Sequence, residues 1–256
     1  MCRPINSVFV VLIVLAFFSA PTFAEGLAGC EGHVKHGPPS DESVLLCRLG
    51  YALSHDGERK VARWVSYHLT REKVEGIHTR SDDFRPDPDL EPGERSELKD
   101  YTGSGYDRGH LAPAASMRWD ERAMSESFFL SNMAPQVGVG FNRGIWKVLE
   151  DRERTWTTVR GELYIITGPI YVNETIQHIG SNHVAVPTHF YKIMFDPVRV
   201  EAIAFVLPNA KNPSSKLSTF ITSVDNVEEQ TGLDFLPELE DSVEALVEAN
   251  IAGALW

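Results

Sequence analysis

The sequence predicts an α+β fold built around a central antiparallel sheet with flanking helices. Two observations predict it: short apolar segments that alternate with polar residues, and turn signals between those segments. No internal repeat, low-complexity stretch or linker divides the chain, and 256 residues suffice for a full hydrophobic core. We therefore expect residues 25–256 to form a single domain, preceded by a signal peptide at residues 1–24.

The N-terminus predicts export. Arg3 places a positive charge before a short apolar run at residues 8–18, and small residues lead to a cleavage site after Ala24. The apolar run is too short for an ordinary membrane span, and no later stretch reaches about 18 apolar residues. The sequence thus indicates a periplasmic or secreted, otherwise soluble protein with no stable membrane partner.

The cysteines fit an oxidising compartment. Cys2 leaves with the signal peptide, and Cys30 and Cys47 remain as a pair that we expect to form one disulfide. A rival interpretation stays open, because residues 27–30 look like the cleavage box of a bacterial lipoprotein and would place a lipid on Cys30. Against it, Glu25 separates that box from the apolar run, and a lipid would leave Cys47 unpaired.

The elements follow in chain order from local patterns. Residues 46–54 and 61–70 alternate apolar and polar side chains around a His-Asp-Gly turn at residues 55–57 and predict a β-hairpin. Residues 78–105, rich in Asp, Glu, Pro and Gly, predict a long functional loop. We expect three more strands, at residues 161–171, 183–196 and 200–207. After them we expect a short helix capped by Ser223 and an acidic terminal helix at residues 238–250.

The chemically informative residues are concentrated in two segments. The first reads Tyr-Asp-Arg-Gly-His-Leu at residues 106–111, and the second reads Phe-Asn-Arg-Gly-Ile-Trp-Lys-Val-Leu-Glu at residues 141–150. Together they supply an imidazole base, a neutral oxygen ligand for a hard metal ion, a carboxylate and guanidinium groups. Metal-assisted hydrolysis of a phosphodiester requires this set of groups.

His110 is the candidate general base, because its unperturbed pKa lies near neutrality. On an extended segment, alternation places Arg108 and His110 on one face and Asp107 on the other. Arg108 can then reach a phosphate beside the base, while Asp107 orders the local structure. Gly109 would let backbone or substrate approach closely.

Asn142 and Glu150 are the candidate metal-site residues. An isolated Asn after a Gly-rich turn is usually a helix cap, but its amide oxygen also suits Mg²⁺, which retains several waters. We expect a helix that continues from Gly144, and eight residues of helix span about 12 Å, so both side chains cannot readily contact one ion. Glu150 is then expected to hold a metal-bound water. Arg154, one turn further on, either pairs with Glu150 or contacts phosphate.

In their order and spacing these segments resemble the DNA/RNA non-specific endonucleases of the ββα-metal superfamily, including the mitochondrial endonuclease G-like members. The resemblance covers most of the chain after the signal peptide and runs through residues 106–117, 128–136, 141–150, 163–171 and 182–192. It implies a ββα-metal finger as the active site. It also implies cleavage of DNA and RNA, single- or double-stranded, to 5′-phosphorylated products.

The resemblance also implies residue roles by motif position. His110 would be the general base, Asn142 the sole protein ligand of a hydrated Mg²⁺ for which Mn²⁺ can substitute, and Glu150 the carboxylate that holds a metal water. The phosphate-binding arginines would be Arg80, Arg108 and Arg154, the last two also catalytic.

Two alternatives stay open: a catalytically silent module that binds nucleic acid or a partner, and a phosphodiesterase for a non-polymeric substrate. The sequence predicts no oligomeric state.

Net charge is the departure from what nucleic-acid binding leads us to expect. The formal charge is −12, whereas phosphate binding normally calls for a basic surface. The acids are unevenly placed, since residues 224–256 carry nine Asp or Glu and no Lys or Arg. Residues 107–160 are near neutral, and a bound divalent cation would make the site positive. We therefore expect modest, salt-sensitive affinity for nucleic acid.

Overall fold

The computed structural model describes residues 29–40, 44–172, 175–211 and 216–256. The expected signal peptide at residues 1–24 and the first residues of the lipoprotein-like box lie outside these ranges. Within them, none of the helices combines the length and the apolar character needed to cross a bilayer.

A seven-stranded antiparallel sheet forms the centre of the fold and confirms the predicted architecture. In spatial order its strands are β1 (Leu45–Cys47), β2 (Ala52–Asp56), β3 (Val61–Thr70), β6 (Glu162–Ile170), β9 (His189–Asp196), β10 (Glu201–Pro208) and β11 (Ile221–Thr222). Two small ribbons lie outside it and pair β4 (Tyr106–His110) with β5 (Met133–Val137), and β7 (His178–Ile179) with β8 (Val184–Ala185).

The helices flank the sheet. They are α1 (Arg71–Val74), α2 (Leu98–Tyr101), α3 (Glu121–Glu126), α4 (Lys147–Arg160), α5 (Val224–Thr231) and α6 (Asp241–Ala249). Single 3₁₀ turns occur at Ala114–Ser116, Leu130–Asn132 and Leu217–Phe220. Helix α5 begins and ends as the sequence predicts, because the Ser223 side chain accepts a hydrogen bond from the Asn226 N–H and Gly232 takes the left-handed conformation after the last turn.

The sheet is buried on both faces, and the alternation along β3 shows how. Val65, Tyr67 and Leu69 belong to one hydrophobic cluster, together with the helix α4 residues Leu149 and Trp156. Trp64 points to the other face and belongs to a second cluster, which also contains Cys30, Val227, Phe235 and Val247 from the N-terminal arm and the C-terminal helices. The sheet therefore separates the motif-bearing side of the domain from the acidic C-terminal side.

The predicted hairpin is present, but its first strand is divided. Residues 46–54 were expected as one strand, whereas β1 and β2 pair with each other, with Leu46 opposite Leu53. The chain reverses through residues 48–51, where the Arg48 N–H donates to the Tyr51 carbonyl. Gly50 lies in that turn, and a Cβ on it would come within 2.5 Å of the Met117 sulfur. The alternation of apolar and polar residues carries no information about this close approach.

The long acidic segment at residues 78–105 is anchored by a buried ion pair. Asp87 is completely buried and pairs with Arg48 at 2.5 Å, and it also accepts a hydrogen bond from Ser131. Residue Arg85 in this segment forms an isolated bridge with Phe129. These contacts hold the segment against the turn between β1 and β2 and against the residues that lead into β5.

Cys30 and Cys47 form the disulfide that the sequence predicts, and Cys30 is completely buried. A lipid on Cys30 would require the same sulfur atom and is incompatible with this bond. The bond attaches the N-terminal arm to strand β1, at the edge of the central sheet.

Replacing both cysteines, as Cys30→Ala with Cys47→Ala, should lower the free energy of unfolding by about 3 kcal/mol. The bond closes a loop with a sequence separation of 17 residues, and its loss frees the unfolded chain. Guanidinium denaturation with and without a reductant measures the change. A reductant should destabilise the parent protein and leave the double variant unchanged; equal sensitivity of both would contradict the assignment.

Candidate active site

A two-stranded ribbon and the helix after it position the motif residues. Strand β4 pairs with β5, with Asp107 opposite Gln136, Arg108 opposite Pro135 and His110 opposite Met133. The chain then passes through an irregular turn at Gly138–Trp146 and enters helix α4. This strand, strand, helix order is the arrangement expected around the two motif segments.

Two glycines let the ribbon close on neighbouring side chains. A Cβ on Gly109 would lie 2.1 Å from the Cδ atom of Gln136, which is completely buried. A Cβ on Gly138 would lie 2.3 Å from an Arg143 nitrogen and 2.9 Å from the Asp107 carboxylate. Gly109 therefore makes room for a protein side chain, and this corrects the expectation that backbone or substrate approaches it.

His110 is held in an aromatic slot. Its ring lies edge-on to Phe84 and Phe128, with ring centroids 5.7 Å and 5.0 Å away. Burial, assisted by the charge of Arg80, lowers the pKa of His110 to about 3, so the imidazole is neutral at physiological pH. Its Nε2 is buried and has no hydrogen-bond partner among the described residues. A neutral imidazole with an open nitrogen is competent to accept a proton.

Each of the two rings that contact His110 also lies against one arginine. The Arg108 guanidinium lies 4.2 Å from the centre of the Phe84 ring, and the Arg80 guanidinium lies 4.7 Å from the centre of the Phe128 ring. Arg80 also pairs with Asp82 at 2.6 Å. Because Arg108 and His110 contact the same ring, they lie on one side of β4, as alternation predicts.

Asp107 orients Asn142. The Asn142 Nδ2 donates to Asp107 Oδ2 at 2.9 Å, and the Arg143 Nε lies 2.9 Å from the same carboxylate oxygen. Since the nitrogen end of the amide is engaged, the oxygen end is the one left for a ligand. Within the described ranges, no side chain or backbone group donates to that oxygen. A groove of about 400 Å³ beside the ribbon includes Arg80, Phe84, Asp107, Arg108 and Asn142 in its walls.

The helix that carries Glu150 begins later than the sequence predicts. Helix α4 starts at Lys147, whereas a helix continuing from Gly144 was expected. Within the preceding turn Val139, Gly140 and Gly144 have non-helical backbone angles, and Gly140 takes a φ of 93°. The span of about 12 Å inferred for eight helical residues therefore does not apply to the path from Asn142. Gly144 is the residue that breaks the helical pattern, because the site needs a turn there.

Glu150 and Arg154 lie on α4 and do not line the groove described above. Burial raises the pKa of Glu150 to about 7, with the neighbouring charge of Glu153 acting in the same direction. Arg154 pairs with Asp151, the residue after Glu150, and its Nη1 lies 3.3 Å from the Ser116 hydroxyl. Glu150 and Arg154 therefore do not form an ion pair in this structure. Of the two partners that the sequence offers for Arg154, phosphate remains.

A buried network beneath the site was not anticipated from the sequence. Lys192 and Glu153 are completely buried and pair at 2.9 Å, and the Tyr67 hydroxyl donates to Glu153 at 2.8 Å. The Ser116 hydroxyl donates to the other Glu153 oxygen at 2.8 Å. One feature of the sequence could have predicted that Glu153 is buried: it lies on the apolar face of α4 with Leu149 and Trp156.

Comparisons with known proteins agree with this geometry. The model of the DNA/RNA non-specific endonuclease family matches residues 31–242. The chain is 37% identical to Nuclease C1 of Cunninghamella echinulata var. echinulata over 227 residues, which cover 83% of this chain and 90% of that protein. It is 37% identical to human mitochondrial endonuclease G over 219 residues, which cover 80% and 73% of the two chains. A chain in a crystal structure of the EndoG/EndoGI complex superposes with a TM-score of 0.78 and 35% identity, over 87% of this chain and 95% of that one.

Substitution of Lys192 by Met should lower the free energy of unfolding by roughly 3–5 kcal/mol, because it leaves the Glu153 carboxylate buried and unpaired. Adding Glu153→Gln should recover most of that loss. Urea denaturation measures both values. The matched control is Lys147→Met, which removes an exposed partner of Asp151 and should change stability by less than about 1 kcal/mol. Equal effects of the two Lys→Met substitutions would contradict a stabilising role for the buried pair.

Proposed function

Since the chain belongs to the DNA/RNA non-specific endonuclease family, we propose that it cuts DNA and RNA internally with the help of a divalent metal ion and leaves 5′-phosphorylated products. The chain is a hydrolase that acts on phosphodiester bonds of nucleic acids. The observation that carries the finer proposal is the neutral, buried His110 with an open Nε2, packed on the two rings that hold Arg80 and Arg108. Both arginines line the groove that also includes Asn142.

His110 is the proposed general base, and substrate binding improves its basicity. The lowered pKa of the imidazole reflects burial and the Arg80 charge. A phosphate diester bound beside the ring brings a negative charge that favours the protonated imidazole and offsets Arg80. Nε2 then accepts the proton of the attacking water more readily when substrate is present than when it is absent.

The arginines are proposed to bind the phosphate. Arg80 and Arg108 are held over the Phe128 and Phe84 rings, the two rings that contact His110. Planar guanidinium groups can donate two hydrogen bonds to one phosphate and so hold it at a fixed angle. Arg154, on α4, is proposed as a third phosphate contact that stabilises charge in the transition state.

Asn142 is the proposed protein ligand for Mg²⁺, with Mn²⁺ as a substitute. The donor set fits a hard ion, because the Asn142 amide oxygen is free of other donors within the described ranges and its nitrogen is fixed by Asp107. Glu150 is proposed to accept a hydrogen bond from a metal-bound water, which favours its ionised form despite burial. When bound, the ion supplies positive charge to the phosphate and to the leaving oxygen.

Export is proposed as the cellular context. The charged and apolar pattern of residues 1–24 supports a signal peptide, and the Cys30–Cys47 disulfide supports an oxidising compartment. We place the protein in the periplasm or outside the cell. Relatives include mitochondrial endonuclease G, which makes mitochondria the competing location. The mass of the protein recovered from its native cell tests the export proposal, which expects a chain that begins at Glu25.

A second candidate is a phosphodiesterase that acts on a non-polymeric substrate. The observation in its favour is the net charge of −12, which weakens attraction to a polyanion. The two candidates differ in the substrate that the same groove would accept. Comparing rates on plasmid DNA and on a small chromogenic diester separates them.

His110→Ala should reduce kcat on supercoiled plasmid and total RNA by roughly 10²–10⁴-fold without changing thermal stability by more than a few degrees. Asn142→Ala should raise the Mg²⁺ concentration needed for half-maximal rate. The matched control is His178→Ala, which removes an exposed imidazole from β7 and should leave both values unchanged. Agarose gels with Mg²⁺ and with EDTA provide the measurement. Normal cleavage by the His110 variant would show that another group is the base.

Arg108→Gln should raise KM for double-stranded DNA and lower the slope of log KM against log salt concentration by about one. The reason is that each phosphate-binding cation displaces counterions when DNA binds. Arg152→Gln removes the same charge from an exposed position on α4 outside the groove and serves as the control. If both variants lower the slope of log KM against log salt concentration by the same amount, the change reflects net charge alone, and Arg108 makes no specific phosphate contact.

A further inference from the structure

The acidic C-terminal segment, which the proposed nuclease function leaves unexplained, brings three carboxylates to one place. One oxygen from each of Asp225, Glu228 and Glu248 lies within 4.8 Å of the other two. Asp225 and Glu228 are three residues apart on α5 and therefore share a face of that helix. Glu248 comes from the last turn of α6, which packs beside α5.

Glu248 is the group that points to a ligand. The residue is 6% exposed, and its Oε1 is buried with no hydrogen-bond partner among the described residues. The charged groups that act most strongly on it are all acidic: Asp225, Glu228, Asp234 and Glu244. Burial and these neighbours raise the pKa of Glu248 to about 8. A buried carboxylate that faces other carboxylates is unfavourable unless a cation or a proton neutralises it.

The other two residues each present a carboxylate oxygen to the cluster. Glu228 Oε1 accepts a hydrogen bond from the Phe235 N–H at 2.7 Å, which fixes the carboxylate and leaves its second oxygen available. Phe235 is completely buried, so this anchor is rigid. Asp225 is exposed and gives an ion a route from solvent. No Lys or Arg occurs in residues 217–256 that could neutralise the cluster from within this segment.

We propose that Asp225, Glu228 and Glu248 bind one Ca²⁺ ion that links α6 to α5. The ligand set consists of oxygen atoms alone, as hard cations prefer. Ca²⁺ accepts irregular geometry at metal–oxygen distances of about 2.3–2.6 Å, so ligands on opposite sides of one ion can be as far apart as these oxygens are. Mg²⁺ requires distances of about 2.0–2.1 Å in a near-ideal octahedron and usually keeps several waters beside one or two carboxylates, so a set of three protein carboxylates suits Ca²⁺ better.

The site is separate from the proposed catalytic groove. Val224, Val227 and Val247 anchor α5 and α6 to the cluster on one face of the central sheet, whereas Trp146 and Leu149 belong to the cluster on the other face. The Ca²⁺ ion is therefore structural. It neutralises part of the acidic segment and stabilises the contact between the two terminal helices.

The test is the effect of Ca²⁺ on thermal stability, in a chain that carries Asn142→Ala so that the proposed catalytic metal site does not contribute. The Tm of this parent, without the signal peptide, should rise by roughly 3–10 °C between EDTA and 10 mM CaCl₂, as expected for a dissociation constant of about 10⁻⁴–10⁻³ M. Adding Glu248→Gln should abolish the rise. Glu229→Gln, which removes an exposed carboxylate from the same helix, is the matched control and should keep it.

A second readout is the direction in which Glu248→Gln changes the Tm when calcium is absent. In EDTA the Glu248→Gln variant should melt at or above the temperature of its parent, since the substitution removes a buried carboxyl that is unfavourable among acidic neighbours when no ion is bound. In CaCl₂ it should melt below it. If this variant melts lower in both conditions, or if its Tm rises with CaCl₂ as much as the parent's does, the proposal is wrong.

Calorimetric titration completes the test. We expect one Ca²⁺ per chain in the parent and none in either Glu248→Gln or Asp225→Asn, the latter at an exposed position that should not disturb folding. Absence of binding up to 10 mM CaCl₂ would show that a proton, and not a cation, neutralises Glu248. Equal affinity for MgCl₂ would overturn the assignment to Ca²⁺. None of these outcomes depends on nuclease activity.

Discussion

The buried ion pair between Lys192 and Glu153 is the interaction on which the geometry of the site depends. Lys192 belongs to strand β9 of the central sheet and Glu153 to helix α4, so the pair fixes the helix to the sheet at one position. Burying two charges costs several kcal/mol per ion, and here the Tyr67 and Ser116 hydroxyls supply the hydrogen bonds that offset it. A purely apolar contact would allow the helix to slide, whereas this pair has one favourable position.

The consequences of that position reach the residues that we propose as catalytic. Glu150 lies one turn before Glu153 on α4, and Arg154 follows it and contacts the Ser116 hydroxyl that Glu153 holds. On the other side, the Lys192 ammonium lies 5.1 Å from the centre of the Trp146 ring, and the Trp146 Nε1 donates to the His110 carbonyl at 3.4 Å. His110 and the residues on α4 are thus positioned from one buried charge pair.

Sequence reasoning succeeded where the chemistry is local and failed where it is not. Alternation placed Arg108 beside His110, and the Ser223 cap and Gly232 gave the limits of α5, because these features depend on neighbouring residues. The late start of α4 was missed, since it requires the unusual backbone angles of Gly144. The Lys192–Glu153 pair was missed because its partners are 39 residues apart and each resembles a surface residue when read alone.

A negatively charged chain can act on nucleic acid if its charges are separated by the fold, and the central sheet separates them here. The aromatic slot, Arg80 and Arg108 belong with the β4–β5 ribbon, on the side that carries α4. The acidic helices α5 and α6 pack on the opposite face, across a layer of buried strands. Exposed charges separated by more than a Debye length, about 8 Å at physiological ionic strength, are largely screened from each other. The net charge of the chain is therefore a poor guide to the potential in the groove, whose walls carry Arg80, Arg108 and Arg143 beside the carboxylate of Asp107.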